Sequence, residues 1–386
     1  MNGDRDAPWV IFLPSLAGGG AERVMLQLAV ALQQRGVPVE LWLAQASGPY
    51  LADVPLQVPV RQLGGAGVLR SLVPLVACVR RRRPRVLLAA MTHANVVALL
   101  AVVLAVPRGR GRPRVVISER AAPGALLRAE GPLQAAVLRL LMRWLYPSAA
   151  AVISVSEGVG EELRTLVPLP VARIKAIANP IDIPALRAAA AQPLPHPWLQ
   201  PGQPPVLLAA GRLVEQKAFQ GLLQALALVR QQHPARLVIL GEGPLRPRLQ
   251  AQSDELGLAD AVLLPGFVAN PMAWMARAAV FVLSSRWEGL PGVLLQAMAC
   301  GAPVVSTDCP HGPREILESG RWGVLVPVGD APALAAAIVQ QLQTNRPAQA
   351  CDAAADGLIT LRPPSPRCAD YQPERIWAAY RQVLEP

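Results

Sequence analysis

Two cationic side chains and one carboxylate in the second half of this chain are spaced to hold a ligand with an anionic part. Glu288 lies in the run from Ser284 to Leu317, SSRWEGLPGVLLQAMACGAPVVSTDCPHGPREIL. This run predicts a buried strand ending in polar residues, a short Glu-Gly-x-Pro-Gly loop, a helix and a second strand. Glu288 then stands at the carboxyl end of a strand, with a helix amino terminus aimed at the same spot. In open α/β sheets ligands bind there, and the helix dipole favours negative charge such as phosphate. Arg212 follows Gly211 at the end of the predicted strand Val206–Ala210, and Lys217 opens the next helix in GRLVEQKAFQGLLQAL. A guanidinium and an ammonium beside a strand end can hold a pyrophosphate without a metal ion. Lys217 is one of two lysines in the chain, the other being Lys175.

Further candidates follow other predicted strands. Gly241-Glu242-Gly243 lets backbone approach a ligand closely, or makes a tight turn. Gly266-Phe267-Val268 offers either a core phenylalanine or a ring for a ligand. The amide groups of Leu290, Gly292 and Val293 open the helix after Glu288, whereas Pro291 has none to offer. In the first half a glycine loop, LAGGGAERV, carries Gly19 and Gly20 with Arg23 in the first helical turn. His93 ends one strand, and Glu119-Arg120 another.

Positioning these groups takes two alternating series of strands and helices, the pattern of parallel sheets covered by helices. The first series has strands at Trp9–Leu13, Val39–Leu43, Val86–Ala90, Arg114–Ser118 and Ala151–Val155. A helix from Ala21 to Arg35 stops at Gly36, and a strand ends at Asn179-Pro180. Leu133–Leu145 shows helical spacing with Arg139 and Arg143 on one side and leucines opposite. The second series has strands at Val206–Ala210, Leu237–Leu240, Ala261–Leu264, Val280–Leu283 and Val304–Ser306. Between the two, Gln192–Pro205 holds six prolines in fourteen residues, a linker composition. The expected division is residues 1–190, a linker 191–205, residues 206–367, and a terminal helical piece 368–386, with weak structure signals from Thr344 to Arg367.

At 386 residues the chain can bury two cores. Hydrophobic residues reach 52% and aromatics only 4%, so Leu, Val and Ala must fill them. Five scattered cysteines (Cys78, Cys300, Cys309, Cys351, Cys368), with no C-x-x-C, argue against a disulfide framework or zinc site and for a reducing, cytoplasmic compartment. The amino terminus lacks a signal-peptide pattern. Val86 to Val106 has the length of a membrane span. Its polar knot at Thr92–Asn95 and the arginines on both flanks instead predict a strand and a core helix. The net charge of +11 lies wholly in residues 1–200, which carry 22 Lys+Arg against 11 Asp+Glu. That asymmetry predicts an anionic partner for the first half. No nucleic-acid motif accompanies it and stacking aromatics are few, so an anionic membrane surface or a pyrophosphate-bearing acceptor is expected rather than nucleic acid.

The motifs resemble those of the retaining nucleotide-sugar glycosyltransferases of the GT-B fold, glycosyltransferase family 4. The likeness covers about residues 9 to 384, specific in the second half and diffuse in the first, where SVSEGVGEEL and AIANPID also match. It implies two Rossmann-like doubly wound parallel-sheet domains facing a central cleft, with the terminal helix crossing back to the first. It implies that Arg212 and Lys217 stabilise the departing diphosphate, that Glu288 orients the donor sugar, and that His93 stands near the anomeric carbon. Gly211, Gly241 and Glu242 would line the donor site, Phe267 and Val268 the nucleobase, and Leu290, Pro291, Gly292 and Val293 the distal phosphate and sugar. The family's second glutamate, on the ribose, is replaced here by Gln296. Glu119 and Arg120 would line an acceptor channel. The resemblance further implies transfer of a hexose or N-acetylhexosamine from a UDP-sugar, with retention, to a lipid-linked or polysaccharide acceptor at the cytoplasmic face of the inner membrane. The nucleotide sugar is a substrate, so no cofactor is expected. No metal is expected either, since the one Asp-x-Asp, Asp4-Arg5-Asp6, stands in the amino-terminal tail.

Three other readings compete. A nicotinamide oxidoreductase needs G-x-G-x-x-G, and Arg23 replaces the third glycine. A nucleotide-sugar epimerase would use the donor without an acceptor, leaving the basic first half unexplained. An inactive nucleotide-sugar-binding or membrane scaffold protein draws its support from Gln296.

Overall fold

The computed structural model describes residues 7–64, 67–106, 111–344 and 361–385. Asp4-Arg5-Asp6, Cys351 and most of the passage from Thr344 to Arg367 lie outside them. The chain divides into two compact units, residues 1–180 with 374–386, and residues 181–373.

In the first unit β1 (Trp9–Leu13), α1 (Gly20–Gln33), β2 (Val39–Leu43) and β3 (Val60–Gln62) come first. They are followed by α2 (Leu72–Arg82), β4 (Val86–Ala90), α3 (Thr92–Ala105) and β5 (Arg114–Glu119). Then come α4 (Pro123–Ala129), α5 (Pro132–Leu145), β6 (Ala151–Ser154), α6 (Glu157–Leu166) and β7 (Ile174–Ala176). The seven strands form a parallel sheet in the order β3-β2-β1-β4-β5-β6-β7. Central strands such as WVIFL are buried along their whole length, as a sheet covered on both faces requires. One face packs under α2, α3, α5 and α6, the other under α1. Gly36, at φ +77°, ends the first helical segment as the sequence predicts. The apolar run from Val86 to Val106 resolves into β4 and α3, and among the described residues no helix is long and apolar enough to cross a membrane.

The second unit opens with α7 (Ile183–Ala190), β8 (Val206–Ala210), α8 (Phe219–Arg230), β9 (Arg236–Leu240) and α9 (Arg246–Glu255). It continues through β10 (Val262–Gly266), α10 (Pro271–Arg277), β11 (Val280–Leu283), α11 (Gly292–Ala299) and β12 (Val304–Thr307). It closes with α12 (Pro313–Ile316), β13 (Val324–Val326) and α13 (Ala331–Thr344). Its six strands are parallel in the order β10-β9-β8-β11-β12-β13. Leu, Val, Ala and Ile dominate its core, with Phe219 the one aromatic among the buried members of the cluster.

The boundary differs from the expected one. Residues 181–205, which the prolines mark as a domain end and linker, belong to the second unit. The reason is local: Asp182 caps α7 by accepting from the Ala185 N–H, and Asn270 and Arg277 donate to the carbonyls of Ala189, Ala190 and Gln192.

The last helix, α14 (Pro373–Leu384), returns to the first unit, as the resemblance implies. Ile376, Tyr380 and Leu384 join the core on the α1 face. Arg120 donates to the Tyr380 hydroxyl at 2.8 Å, and Arg114 donates twice to the Val383 carbonyl. Tyr380 is fully buried, so Tyr380→Ala should cost the first unit about 3–5 kcal/mol of stability, read from urea unfolding. Tyr380→Phe, which removes only the hydroxyl, should cost about 1–3 kcal/mol. An unchanged transition for Tyr380→Ala would show that α14 adds nothing to that core.

Candidate active site

In the second sheet β8 and β11 are neighbours, with β9 and β10 beyond one and β12 and β13 beyond the other. Where strand order reverses in this way, the loops leaving the carboxyl ends part to opposite faces and open a crevice. Lys217 belongs to the turn after β8, and Glu288 to the loop after β11. The topology therefore brings together two residues 71 positions apart.

The Lys217 ammonium donates to Glu288 Oε1 at 2.6 Å, with both side chains largely buried. The Ser285 hydroxyl donates to the same oxygen at 2.6 Å. Glu288 Oε2 has no protein partner among the described residues, and the side chain keeps 8% of its surface exposed. One oxygen of the carboxylate is thus committed to the protein and the other is available. A Lys–Glu pair this buried requires its partner, since a lone charge there would cost several kcal/mol.

The two loops are stitched by backbone and side chain. The Ser284 hydroxyl donates to the Lys217 carbonyl, Gln216 Nε2 to the Trp287 carbonyl, and the Arg286 N–H to the Gln216 carbonyl, at 2.8 to 2.9 Å. From β12 and its loop, the Thr307 hydroxyl donates to the Ser285 carbonyl at 2.6 Å. The Glu288 N–H donates to Pro310 O at 2.7 Å, and the His311 N–H returns to Glu288 O at 3.2 Å. Gly312 (φ +92°) sits so close that a Cβ would lie 2.6 Å from Pro291 Cδ, a contact only glycine avoids. Burial, and then the negative Glu288, push the Cys309 thiol up to about 12. Cys309 therefore has no nucleophilic role at neutral pH.

The remaining second-unit candidates lie after the carboxyl ends of β8, β9, β10 and β11. Gly241 (φ +129°) follows β9, and a Cβ there would stand 2.1 Å from the Gly211 carbonyl, so the loops after β8 and β9 meet backbone to backbone. Arg212, just beyond Gly211, is exposed, with no side-chain partner among the described residues. Glu242 pairs with Arg246 at 2.9 Å on the surface. Phe267 is 83% exposed, which excludes the core alternative, and Val268 beside it is half-buried. Leu290 and Pro291 are buried, while Gly292, Val293 and Gln296 on α11 are partly exposed. The Gly292 and Val293 amides open α11 with no carbonyl one turn behind them, while the Leu294 N–H already donates to the Pro291 carbonyl, so the first two present donors.

His93, Gly19 and Gly20 belong to the first unit, after β4 and β1, the neighbours at the reversal of that sheet. The His93 ring lies 3.7 Å from Glu130, partly exposed. Glu119 corrects an expectation: it lines no channel but is buried in the core. Thr92 and Asn95 donate to its two oxygens at 2.8 and 3.0 Å, and the Tyr146 hydroxyl donates as well. Burial raises the Glu119 carboxyl above its ordinary value against these hydrogen bonds, and raises Tyr146 further. Glu119 thus fixes α3 and the end of α5 to β5. Arg120, half-buried, holds Tyr380 and Asn179.

Sequence spacing found Lys217 and Glu288 but missed Ser285, Thr307 and the Asp308–Gly312 loop. The Ser-Ser pair closing β11 and the glycine in Cys-Pro-His-Gly were the available signals.

Comparison with known proteins agrees over both halves. Residues 18–184 match the family described as Glycosyltransferase Family 4, and residues 204–344 the family described as Glycosyl transferases group 1. The chain is 28% identical over 346 residues to the N-acetylgalactosamine-N,N'-diacetylbacillosaminyl-diphospho-undecaprenol 4-alpha-N-acetylgalactosaminyltransferase of Campylobacter jejuni, covering 87% of this chain and 90% of that protein. It is 36% identical over 145 residues to the lipopolysaccharide core biosynthesis glycosyltransferase LpsE of Rhizobium meliloti, covering 38% of this chain and 42% of that one. Among solved structures, Anabaena HepE in complex with UDP and glucose superposes with a TM-score of 0.76 at 20% identity, covering 98% of this chain and 99% of that one. The apo lipopolysaccharide outer core galactosyltransferase WaaB superposes with a TM-score of 0.70 at 18% identity, covering 97% and 98%. Matched by a glycosyltransferase family in each half and folded as these structures are, the chain belongs to the glycosyltransferases of the GT-B fold.

Proposed function

We propose that this glycosyltransferase moves a hexose or N-acetylhexosamine from a nucleotide sugar, with UDP as carrier, to a lipid-linked or polysaccharide acceptor, with retention at the anomeric carbon. The observation that carries the donor reading is the carboxylate of Glu288. One of its oxygens is held by Lys217 and Ser285, and the other has no partner among the described residues, at the carboxyl ends of β8 and β11. In this reading Glu288 Oε2 accepts from a sugar hydroxyl and so orients the ring. Lys217, with donors to spare beyond its bond to Glu288, meets the diphosphate together with Arg212 and the opening amides of α11. The bond between anomeric carbon and diphosphate oxygen breaks with its electrons passing to the diphosphate. Cations and aligned amides there stabilise that charge as it develops. The exposed ring of Phe267 suits stacking on the nucleobase, and Gln296 can hydrogen-bond a ribose hydroxyl without the strength that a charge adds.

The acceptor reading draws on the Campylobacter relative, whose name specifies a diphospho-undecaprenol acceptor, and on the basic first half of this chain. It places the protein peripherally at the cytoplasmic face of an anionic membrane.

Purified protein incubated with labelled nucleotide sugars and a lipid extract should yield glycosylated lipid. An epimerised donor, or binding without turnover, would overturn the assignment. Lys217→Ala should lower turnover by roughly two to three orders of magnitude, by analogy with loss of one oxyanion donor, in protein that unfolds in urea as a folded chain does. A near-normal rate would remove Lys217 from the diphosphate. Because side chains supply the positive charge, turnover should persist in excess chelator. Complete loss that magnesium restores would contradict this.

A further inference from the structure

We infer that α5 is a membrane-docking helix, whose outward stripe of Leu133, Val137, Leu140 and Trp144 inserts into the interface of an anionic lipid surface, with Arg139 and Arg143 beside it. The inference rests on the proposed function only for the lipid nature of the acceptor, and it names the surface by which the enzyme would reach it.

Helix α5 has two apolar faces where packing needs one. Leu138, Met142 and Leu145 point into the first unit's core and are buried. Positions 133, 137, 140 and 144 follow the i, i+4, i+7, i+11 spacing of a second stripe. All four are exposed, Leu133 to 77% and Trp144 to 82%. A solvated helix would carry polar residues there. On an ideal helix Arg143 lies one turn on from Leu140 at one edge of this stripe, with Arg139 further round the same flank, and both are exposed.

Charge chooses the occupant. Of the helices that cover this face of the first sheet, α2, α3 and α5 contain no Asp or Glu, and the acids nearby are Glu130 before α5 and Glu157, Glu161 and Glu162 on α6. Helix α2 ends in Arg80, Arg81 and Arg82, and its Val73 is also exposed. An apolar stripe with tryptophan, edged by arginine and without acids, is the pattern of a helix lying in the plane of a lipid interface. Its binding combines buried apolar area with attraction to anionic headgroups. A second copy of the chain would bring the same positive charge to the contact and be repelled.

The test is co-sedimentation of the full chain with vesicles of phosphatidylcholine alone or mixed with phosphatidylglycerol. The wild type should bind the mixed vesicles and lose at least tenfold in partitioning on plain ones. Leu140→Glu with Trp144→Glu should reduce binding to mixed vesicles about tenfold or more. Arg139→Glu with Arg143→Glu should do the same at low salt, at roughly fivefold per arginine. Leu56→Glu, at a leucine still more exposed and outside this layer, should change nothing. Wild-type binding to both α5 variants, or α5 variants that dissolve a dimer without losing vesicle binding, would overturn the inference. Thermal stabilisation by UDP-sugar in the same samples keeps the two readings apart: its absence with vesicle binding intact defeats the donor assignment and leaves the docking surface standing.

Discussion

The buried pair of Lys217 and Glu288 is the contact on which the site depends. Two opposite charges that have left water must stay within hydrogen-bonding distance, because removing either strands the other at about 3–5 kcal/mol. The 2.6 Å contact therefore fixes the loop after β8 against the loop after β11. Ser284, Ser285, Gln216 and Thr307 then add hydrogen bonds that hold both backbones in register. Such a pair is a poor stabiliser of a fold compared with apolar packing. Its value lies in holding an ammonium and an open carboxylate oxygen side by side before any ligand arrives, so that reorganisation is avoided when charge develops.

That contact is possible because of sheet topology rather than proximity in sequence. The reversal of strand order between β8 and β11 sends consecutive loops apart and leaves a crevice at their carboxyl ends. Glycines at 241 and 312 let neighbouring loops approach more closely than any Cβ would permit. Apolar strands buried on both faces keep the platform rigid. The first unit uses the same plan around β1 and β4, with Glu119 as a buried polar bolt and α14 sealing the α1 face.

The periodicity of strands buried on both faces made the α/β plan and the placing of Val86–Val106 legible, because such strands are continuous apolar runs with glycine or polar residues at their ends. Short edge strands such as β3 and β13 lack that signal, being only three residues long and partly exposed. Lys217 and Glu288 were legible from their positions after strands, whereas Ser285 and Thr307 act through hydrogen bonds that only the fold creates. Glu119 misled because a strand-ending carboxylate looks the same in sequence whether it faces a ligand or three internal donors. The prolines of 191–205 misled similarly, since composition reports a stiff chain but not what that chain is bonded to. The second apolar stripe of α5 was hidden by the leucines of the first.

Calorimetric titration of UDP and of a UDP-sugar into Lys217→Met and Glu288→Gln tests the division of labour within the pair most directly. Lys217→Met should weaken UDP itself by about tenfold or more, the worth of roughly one charge-assisted hydrogen bond. Glu288→Gln should leave UDP binding unchanged or tighter, having freed the ammonium, while weakening the UDP-sugar. Folded variants that bind both ligands as the wild type does would show that the pair holds the loops together and touches no donor.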